Sequence, residues 1–202
     1  MRQLRPSSEA EMVALFLRTE LYSYRYGSGI RALLERDGVP EHVITASDLS
    51  DDAENQARLR LLTDHRGYGT RTEIFGDFPD DVRWQWMAIT PGELAAVRFI
   101  DYDYWVELSG GSRLAVDAAP RIRAGVAPFG VPNDGLLRLA DAVAVGARFP
   151  PMIVVRTAPG GDLVVLEGHC RLTGFMLARD HLPPEQEVLV GTSRAMTRWD
   201  CW

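Results

Sequence analysis

The stretch Leu163–Thr173, with the sequence L-V-V-L-E-G-H-C-R-L-T, decides how the second half of this chain folds. Its apolar start, 163–166, predicts a strand, and the residues 168–178 predict a helix. Gly168 at the junction permits a tight turn that a side chain would obstruct. A helix that begins at this point presents free N–H groups and its positive dipole end to an anion. The stretch therefore predicts an anion-binding strand–turn–helix.

Several side chains beside this turn are candidates for ligand binding. Arg171 lies in the first helical turn and can fork onto a phosphate, while His169 and Thr173 can add hydrogen bonds. Cys170 lies between them, as part of the cradle or as a small half-buried residue. The alternative is an ordinary strand–helix turn in which the arginine pairs with Glu167.

The elements on both sides of the turn alternate between strands and helices. Strands are predicted at 84–89, 152–156 and 187–191, and a helix at 136–145. The segment 158–162, A-P-G-G-D, predicts a hairpin turn between two of the strands. This half therefore predicts a small mixed sheet with flanking helices.

The first part of the chain has a different character. Ser7-Ser8-Glu9 and the segment 47–52, S-D-L-S-D-D, can cap the helical patterns that follow them, and glycines interrupt the helices. We predict an α+β fold with a helical N-terminal region at 1–78 and a sheet-containing, anion-binding domain at 79–202. His42 and His65 lie beside acids in the helical region and are interpreted as surface residues.

Lysine is absent from the sequence, so all 22 basic residues are arginines. A P-loop requires a lysine on its phosphates, and Schiff-base enzymes require one as nucleophile, so both classes are excluded. The net charge of −6 argues against a duplex-DNA partner, which favours a basic footprint. Phosphate recognition must therefore use arginine forks, backbone N–H groups or a metal ion.

The cysteines and the hydropathy pattern bear on the cellular compartment. Cys170 and Cys201 are far apart and form no metal-binding or disulfide spacing. The first residues lack the apolar core of a signal peptide, and no apolar run reaches the roughly 20 residues of a membrane span. The sequence predicts a cytoplasmic protein with reduced thiols, no membrane partner and no protein-ligated metal. The sequence leaves the oligomeric state open, and a homo-oligomer is among the alternatives.

The second half resembles the ParB/sulfiredoxin superfamily. The resemblance rests on the helical 136–143 segment, the P-P-M-I-V-V-R strand at 150–156 and the L-E-G-H-C-R-L-T stretch at 166–173. It covers 136–178 well, 84–123 weakly and the N-terminal region not at all. The resemblance implies an ATP or CTP site at the Gly168 turn, with Mg²⁺ accompanying the phosphates.

Different branches of the superfamily fit this chain to different degrees. Sulfiredoxins carry their thiol directly after the glycine, whereas here His169 holds that place and Cys170 is shifted by about 100° around the helix. Partition proteins continue into a helix-turn-helix, which this sequence lacks. The kinase branch fits the size and acidity better, and implies a phosphotransferase that acts on a small molecule.

The resemblance also implies a carboxylate base in the loop after the first strand. The matching segment, 101–113, offers Glu107 as first choice, followed by Asp101 and Asp103, with Arg113 as a second phosphate clamp. The alternative is a surface helix with solvated acids and inward aromatic residues. The tail 194–202 either covers the pocket or closes the core.

These observations lead to three hypotheses. The first is an enzyme that uses ATP or CTP, with magnesium, as a kinase or other phosphotransferase, or as a nucleotide hydrolase, on an unknown small molecule. The second is a non-catalytic nucleotide-binding protein with a regulatory or interaction role. The third is a ParB-like nuclease, against which the acidic charge and the missing basic aromatic groove argue.

Overall fold

A five-stranded mixed sheet organises this computed structural model, which describes residues 1–70 and 72–202. In chain order the strands are β1 Arg2–Pro6, β2 Arg83–Ile89, β3 Met152–Arg156, β4 Val164–Glu167 and β5 Gln186–Thr192. Their spatial order is β1-β2-β5-β3-β4, with β3 and β5 parallel and the other neighbours antiparallel. The predicted strands are confirmed to within one residue at each end.

Helices flank this sheet. Within the described residues they are α1 Glu9–Leu21, α2 Gly27–Asp37, α3 His42–Thr45, α4 Asp52–Arg66, α5 Pro91–Leu94, α6 Asp103–Leu108, α7 Ala115–Arg123, α8 Asp134–Ala144 and α9 His169–Leu177. Ser8 and Asp51 cap α1 and α4 by accepting backbone N–H groups, as their positions predict. The combination of helices and sheet confirms the α+β class.

Alternate residues of the central strands enter two separate cores. Ile153 and Val155 of β3 pack with the α1, α2 and α4 layer. Met152 and Val154 pack with the α7, α8 and α9 layer on the opposite face. Because strand side chains alternate between faces, a continuous apolar strand indicates a sheet that is covered on both sides.

Strand β1 was not predicted. Its five residues are all exposed, so it has no apolar alternation, and it pairs with β2 as an edge strand. The N-terminal helices also share a core cluster with the sheet. The division at residue 78 stays a prediction, and the packing runs across it.

None of the helices in the described part of the chain combines the length and apolar character needed to cross a membrane.

Candidate functional site

The turn between β4 and α9 has the predicted strand–glycine–helix geometry. Gly168 has a φ of 111°, in the left-handed region that favours glycine. A Cβ atom there would lie 2.6 Å from Cγ of Met152 and 3.2 Å from Nη2 of Arg171. Both the backbone conformation and the space around it therefore require glycine.

The N-terminus of α9 has unused hydrogen-bond donors. No side chain caps the helix, and nothing among the described residues accepts the amide protons of His169, Cys170 and Arg171. The first bond of the helical ladder runs from the Leu172 N–H to the Gly168 carbonyl oxygen, at 2.8 Å. Such donors, together with the helix dipole, attract an anion.

These donors lie in a cleft of about 370 Å³ between the two parts of the chain. Helix α1, the loop that follows it and the end of α4 form one wall, and the start of α9 and the loop before α6 form the other. A cavity of this size lies within the range of small-molecule sites. The N-terminal helices thus complete the cleft that the Gly168 turn begins.

Two arginines bring positive charge to this cleft. The charge of Arg66 acts on His169, and the charge of Arg25 acts on Cys170. The Arg66 guanidinium lies 4.5 Å from the ring centroid of Tyr26. Arg25 is exposed and forms no ion pair with a described residue. The cleft lining thus has three arginines, Arg25, Arg66 and Arg171, against two carboxylates, in a chain whose net charge is −6.

His169, one of the predicted site residues, lines the cleft. Its Nε2 atom is buried and has no hydrogen-bond partner among the described residues. Its ring stacks on Trp105 with 5.3 Å between the centroids. Burial, and then the charge of Arg66, lower the pKa of His169 to about 3, so the ring is neutral at pH 7. A buried nitrogen without a partner can form a hydrogen bond to a ligand.

Arg171 has a structural role. Its Nη1 donates to the carbonyl oxygens of Pro150 at 2.6 Å and Pro151 at 2.9 Å, and its Nη2 pairs with Glu167. Burial lowers the pKa of the guanidinium to about 10, so it remains charged at pH 7. The alternative pairing with Glu167 is confirmed, and both terminal nitrogens are engaged away from a phosphate.

Thr173 and Arg113, also predicted to bind phosphate, do not line the cleft. The Thr173 hydroxyl donates to the His169 carbonyl oxygen at 2.8 Å. Arg113 donates to the Phe99 carbonyl oxygen from Nε at 2.9 Å and to the Trp202 carbonyl oxygen from Nη1 at 2.8 Å. Arg113 therefore anchors the C-terminal tail, which closes the core.

The predicted catalytic carboxylates also lie outside the cleft. Glu107, Asp101 and Asp103 are exposed, and none of their side chains is part of its lining. Helix α6 instead buries Leu108 and places its acids in solvent, which agrees with the surface-helix alternative. The catalytic role of these acids stays a prediction, and the cleft geometry does not support it.

The carboxylate that the sequence did not single out is Glu20. It lines the cleft, is 5% exposed, and its Oε2 lies 2.7 Å from Nε2 of His65. The His65 side chain is 9% exposed, so its interpretation as a surface residue is wrong. Arg66 adds a contact of 3.8 Å from Nε to Glu20. Glu20 comes from α1 and the two basic residues from α4, and only helix packing brings them together.

An apolar groove of about 620 Å³ continues from the cleft. The two share Arg25, Tyr102, Trp105 and Cys170. Phe129 at the far side of the groove is 73% exposed and has a φ of 55°, which strains a residue other than glycine. Strained residues cluster at ligand sites. The cleft and the apolar groove thus form one continuous site with shared lining residues.

Comparison with protein-family models, curated proteins and solved structures finds no match. In residues 1–70 and 72–202, no group of three or more His, Cys, Asp or Glu side chains is arranged to hold a metal ion.

Proposed function

We propose that this protein binds a nucleotide, ATP or CTP, across the cleft and the apolar groove that continues from it. The observation that carries the proposal is the uncapped N-terminus of α9, whose free N–H groups belong to a cleft that is also lined by Arg25 and Arg66. The protein's two free thiols, Cys170 and Cys201, are compatible with the reducing cytoplasm, where these nucleotides are available.

The phosphate end of the nucleotide is matched by the start of α9. The amides of His169, Cys170 and Arg171 supply donors, and Nε2 of His169 supplies a further polar group. Arg25 and Arg66 supply charge. Of the two carboxylates in the cleft lining, Glu20 contacts His65 and Arg66, and Glu167 pairs with Arg171. Arg25 is therefore the lining arginine that has no ion-pair partner among the described residues.

The base end of the nucleotide is matched by the apolar groove, whose lining includes several aromatic side chains. Tyr102 and Phe129 are 55% and 73% exposed, an unusual exposure for large aromatic side chains. A nucleobase can stack on such rings, and each stacked base contributes about 1–3 kcal/mol. The groove adjoins the cleft at Trp105, so the base and the phosphates can be bound together.

A pair of substitutions at Cys170 tests the phosphate site. Cys170 is exposed at the start of α9. In Cys170→Asp the new carboxylate interacts favourably with the positive end of the helix dipole, so the helix stays stable, but it repels a bound phosphate. We expect Cys170→Asp to weaken ATP and CTP binding by roughly tenfold or more, or about 1.4 kcal/mol, and the neutral, isosteric Cys170→Asn to bind like wild type. Titration calorimetry with magnesium present measures both.

Two results of that titration oppose the proposal. One is the absence of ATP or CTP binding by the wild-type protein. The other is equal binding by Cys170→Asp and Cys170→Asn, since the ligand would then lie elsewhere. Inorganic triphosphate, titrated in parallel, separates the contribution of the phosphates from that of the base.

A second candidate function is phosphoryl transfer or nucleotide hydrolysis, which the buried Glu20–His65 pair favours. A carboxylate held 2.7 Å from an imidazole at a cleft wall can accept a proton from a hydroxyl group or water. The acceptor molecule would enter beside Glu20, opposite the start of α9. In this scheme Glu20 replaces Glu107 as the base.

Turnover by matched variants separates binding from catalysis. Glu20→Gln should keep nucleotide binding and lose phosphate release by roughly 100-fold, the usual contribution of a general base. Glu107→Gln should leave both unchanged, because its side chain is exposed outside the cleft. Loss of turnover in Glu107→Gln alone would restore the base predicted from the sequence. No turnover by wild type leaves nucleotide binding as the function.

A further inference from the structure

Among residues 1–70 and 72–202, three arginines are buried, and one of them, Arg156, has a single hydrogen bond to the protein. Arg58 is fully buried, and its terminal nitrogens donate to four oxygen atoms. Arg171, 6% exposed, is held by two carbonyl groups and a carboxylate. Arg156 is 5% exposed, yet only its Nε has a described acceptor, Oγ1 of Thr192 at 3.0 Å.

The terminal nitrogens of Arg156 face the open cavity rather than the closed core. A guanidinium has five N–H donors, and only one of those of Arg156 has an acceptor among the described residues. No acidic side chain in the described part of the chain forms an ion pair with Arg156. Desolvation lowers the pKa of its guanidinium, and nothing raises it again. The remaining donors are therefore available to an acceptor that enters the cavity.

Arg156 lines a cavity of about 690 Å³ between the sheet and the hairpin turn. Gln3 and Gln85 contribute carboxamides, and Met87, Ala96 and Leu163 contribute apolar surface. Gln85 and Met87 lie two residues apart on β2 and therefore point to the same face of the sheet. The cavity thus offers one free cation, two amides and an apolar wall.

We propose that this cavity binds a small organic monocarboxylate through the Arg156 guanidinium. The planar guanidinium fork matches a carboxylate, and the amides of Gln3 and Gln85 can donate to its oxygens. The apolar wall accommodates a hydrocarbon tail on the same molecule. This binding site is separate from the nucleotide cleft and does not depend on it.

The charge around the cavity favours a singly charged ligand over phosphate. The two carboxylates in its lining already have cations, because Glu93 pairs with the Met1 amino group and Asp162 lies 3.4 Å from Nη2 of Arg98. Arg156 is then the one uncompensated charge among the described lining residues. A phosphate dianion would bring one negative charge more than this cation balances.

The site lies at the other end and on the other face of the sheet from the cleft. Arg156 ends β3, whereas the Gly168 turn adjoins the start of β3 through the pairing of Ile153 with Glu167. The Arg156 side chain shares its face with Met152 and Val154, and the cleft is lined by Leu166 from the opposite face. Failure of one site therefore does not imply failure of the other.

Arginine side-chain NMR on the wild-type protein gives the first test. Butyrate is the probe and butyramide its neutral isostere, and the Nε–Hε signal of Arg156 is followed. We expect a saturable shift with butyrate, none with butyramide, a weaker response to inorganic phosphate at equal ionic strength, and an unmoved signal for the exposed Arg138. No saturable shift, or equal responses to all three probes, overturns the proposal.

Two variants give the second test. Arg156→Gln should weaken butyrate binding by roughly tenfold or more, while Arg138→Gln, which removes the same charge from an exposed helix position, should not. Gln85→Glu places a competing carboxylate in the cavity and keeps the arginine, so it should also block butyrate even where Arg156→Gln is poorly folded. Unchanged butyrate affinity in folded Arg156→Gln or in Gln85→Glu overturns the site. ATP and CTP titrations of Gln85→Glu should match wild type.

Discussion

A buried arginine lies at each end of strand β3, and the two differ in how many of their N–H groups have an acceptor within the protein. At the start, Arg171 holds the Pro150 and Pro151 carbonyl oxygens and the Glu167 carboxylate. At the end, Arg156 has a single bond to the Thr192 hydroxyl and an open cavity in front of it. Arg171, which belongs to the predicted motif, therefore has a structural role. Arg156, which belongs to no motif, has N–H donors that no described residue accepts.

This difference teaches where a ligand can be recognised. A side chain whose hydrogen bonds are already made within the protein has little to offer a ligand, whatever its motif. Binding capacity lies instead with unsatisfied groups, here the α9 amides, Nε2 of His169 and the terminal nitrogens of Arg156. Four predictions break or sharpen the comparison.

The largest effect is expected for Arg171→Met. The substitution leaves the half-buried Glu167 carboxylate without its partner and two carbonyl groups without donors. We expect the free energy of unfolding to fall by about 3–5 kcal/mol, as for other broken buried ion pairs. Urea denaturation measures the loss, with Arg138→Met as the exposed control. A loss no larger than that of the control would show that Arg171 is not an anchor.

A smaller loss is expected for Gly168→Ala. Alanine at this position must adopt a φ of 111° and place its Cβ atom 2.6 Å from Cγ of Met152. Strain of this kind costs about 1–3 kcal/mol. Gly111→Ala is a matched control, because its φ is also positive, at 94°, but nothing lies near its Cβ position. If both variants lose the same free energy of unfolding, the positive φ alone causes the loss, and the contact with Met152 does not contribute.

The burial of His169 makes stability depend on pH. Its pKa is lowered from 6.5 to about 3 in the folded chain, so the unfolded chain takes up the proton first as the pH falls. The free energy of unfolding should therefore decrease on acidification between these two pKa values, by up to about 1.4 kcal/mol per pH unit. Denaturation of wild type and His169→Gln across this range measures the difference. Parallel pH profiles would contradict it.

The smallest effect is expected for Arg156→Met. This change removes a desolvated charge and one hydrogen bond and fills the space with an apolar chain of similar length. The free energy of unfolding should change by less than about 1 kcal/mol in either direction. Urea denaturation beside Arg171→Met gives the comparison directly. A loss as large as that of Arg171→Met would show that Arg156 is a structural residue too.

The sequence was sufficient to predict the parts of this fold that local patterns specify. The apolar strand at 152–156, the glycine turn and α9 depend on residues close together in the chain, and all were confirmed. Helix caps such as Ser8 were predictable for the same reason. The Arg171–Glu167 pair was foreseen as an alternative because its partners are four residues apart on adjoining elements.

The remaining features depend on packing between distant segments. Strand β1 has no apolar alternation, and only the exposed edge of β2 makes it a strand. Glu20 and His65 are separated by 45 positions, and the contact exists because α1 packs on α4. For the 101–113 segment the sequence offered two alternatives, a catalytic base or a surface helix with solvated acids, and the exposed acids agree with the second. Sequence alone could therefore locate the turn but not the opposite wall of the cleft.

The order of strands has a consequence for how the chain folds. The central strand β5 comes from 186–192, and both β2 and β3 must pair with it. Until the ribosome has released those residues, the β1–β2 and β3–β4 pairs have no common neighbour and each keeps an open edge. Pairings so distant in sequence slow folding. Pulsed hydrogen exchange during refolding should find the amides of β5 protected at the same step that joins the two pairs.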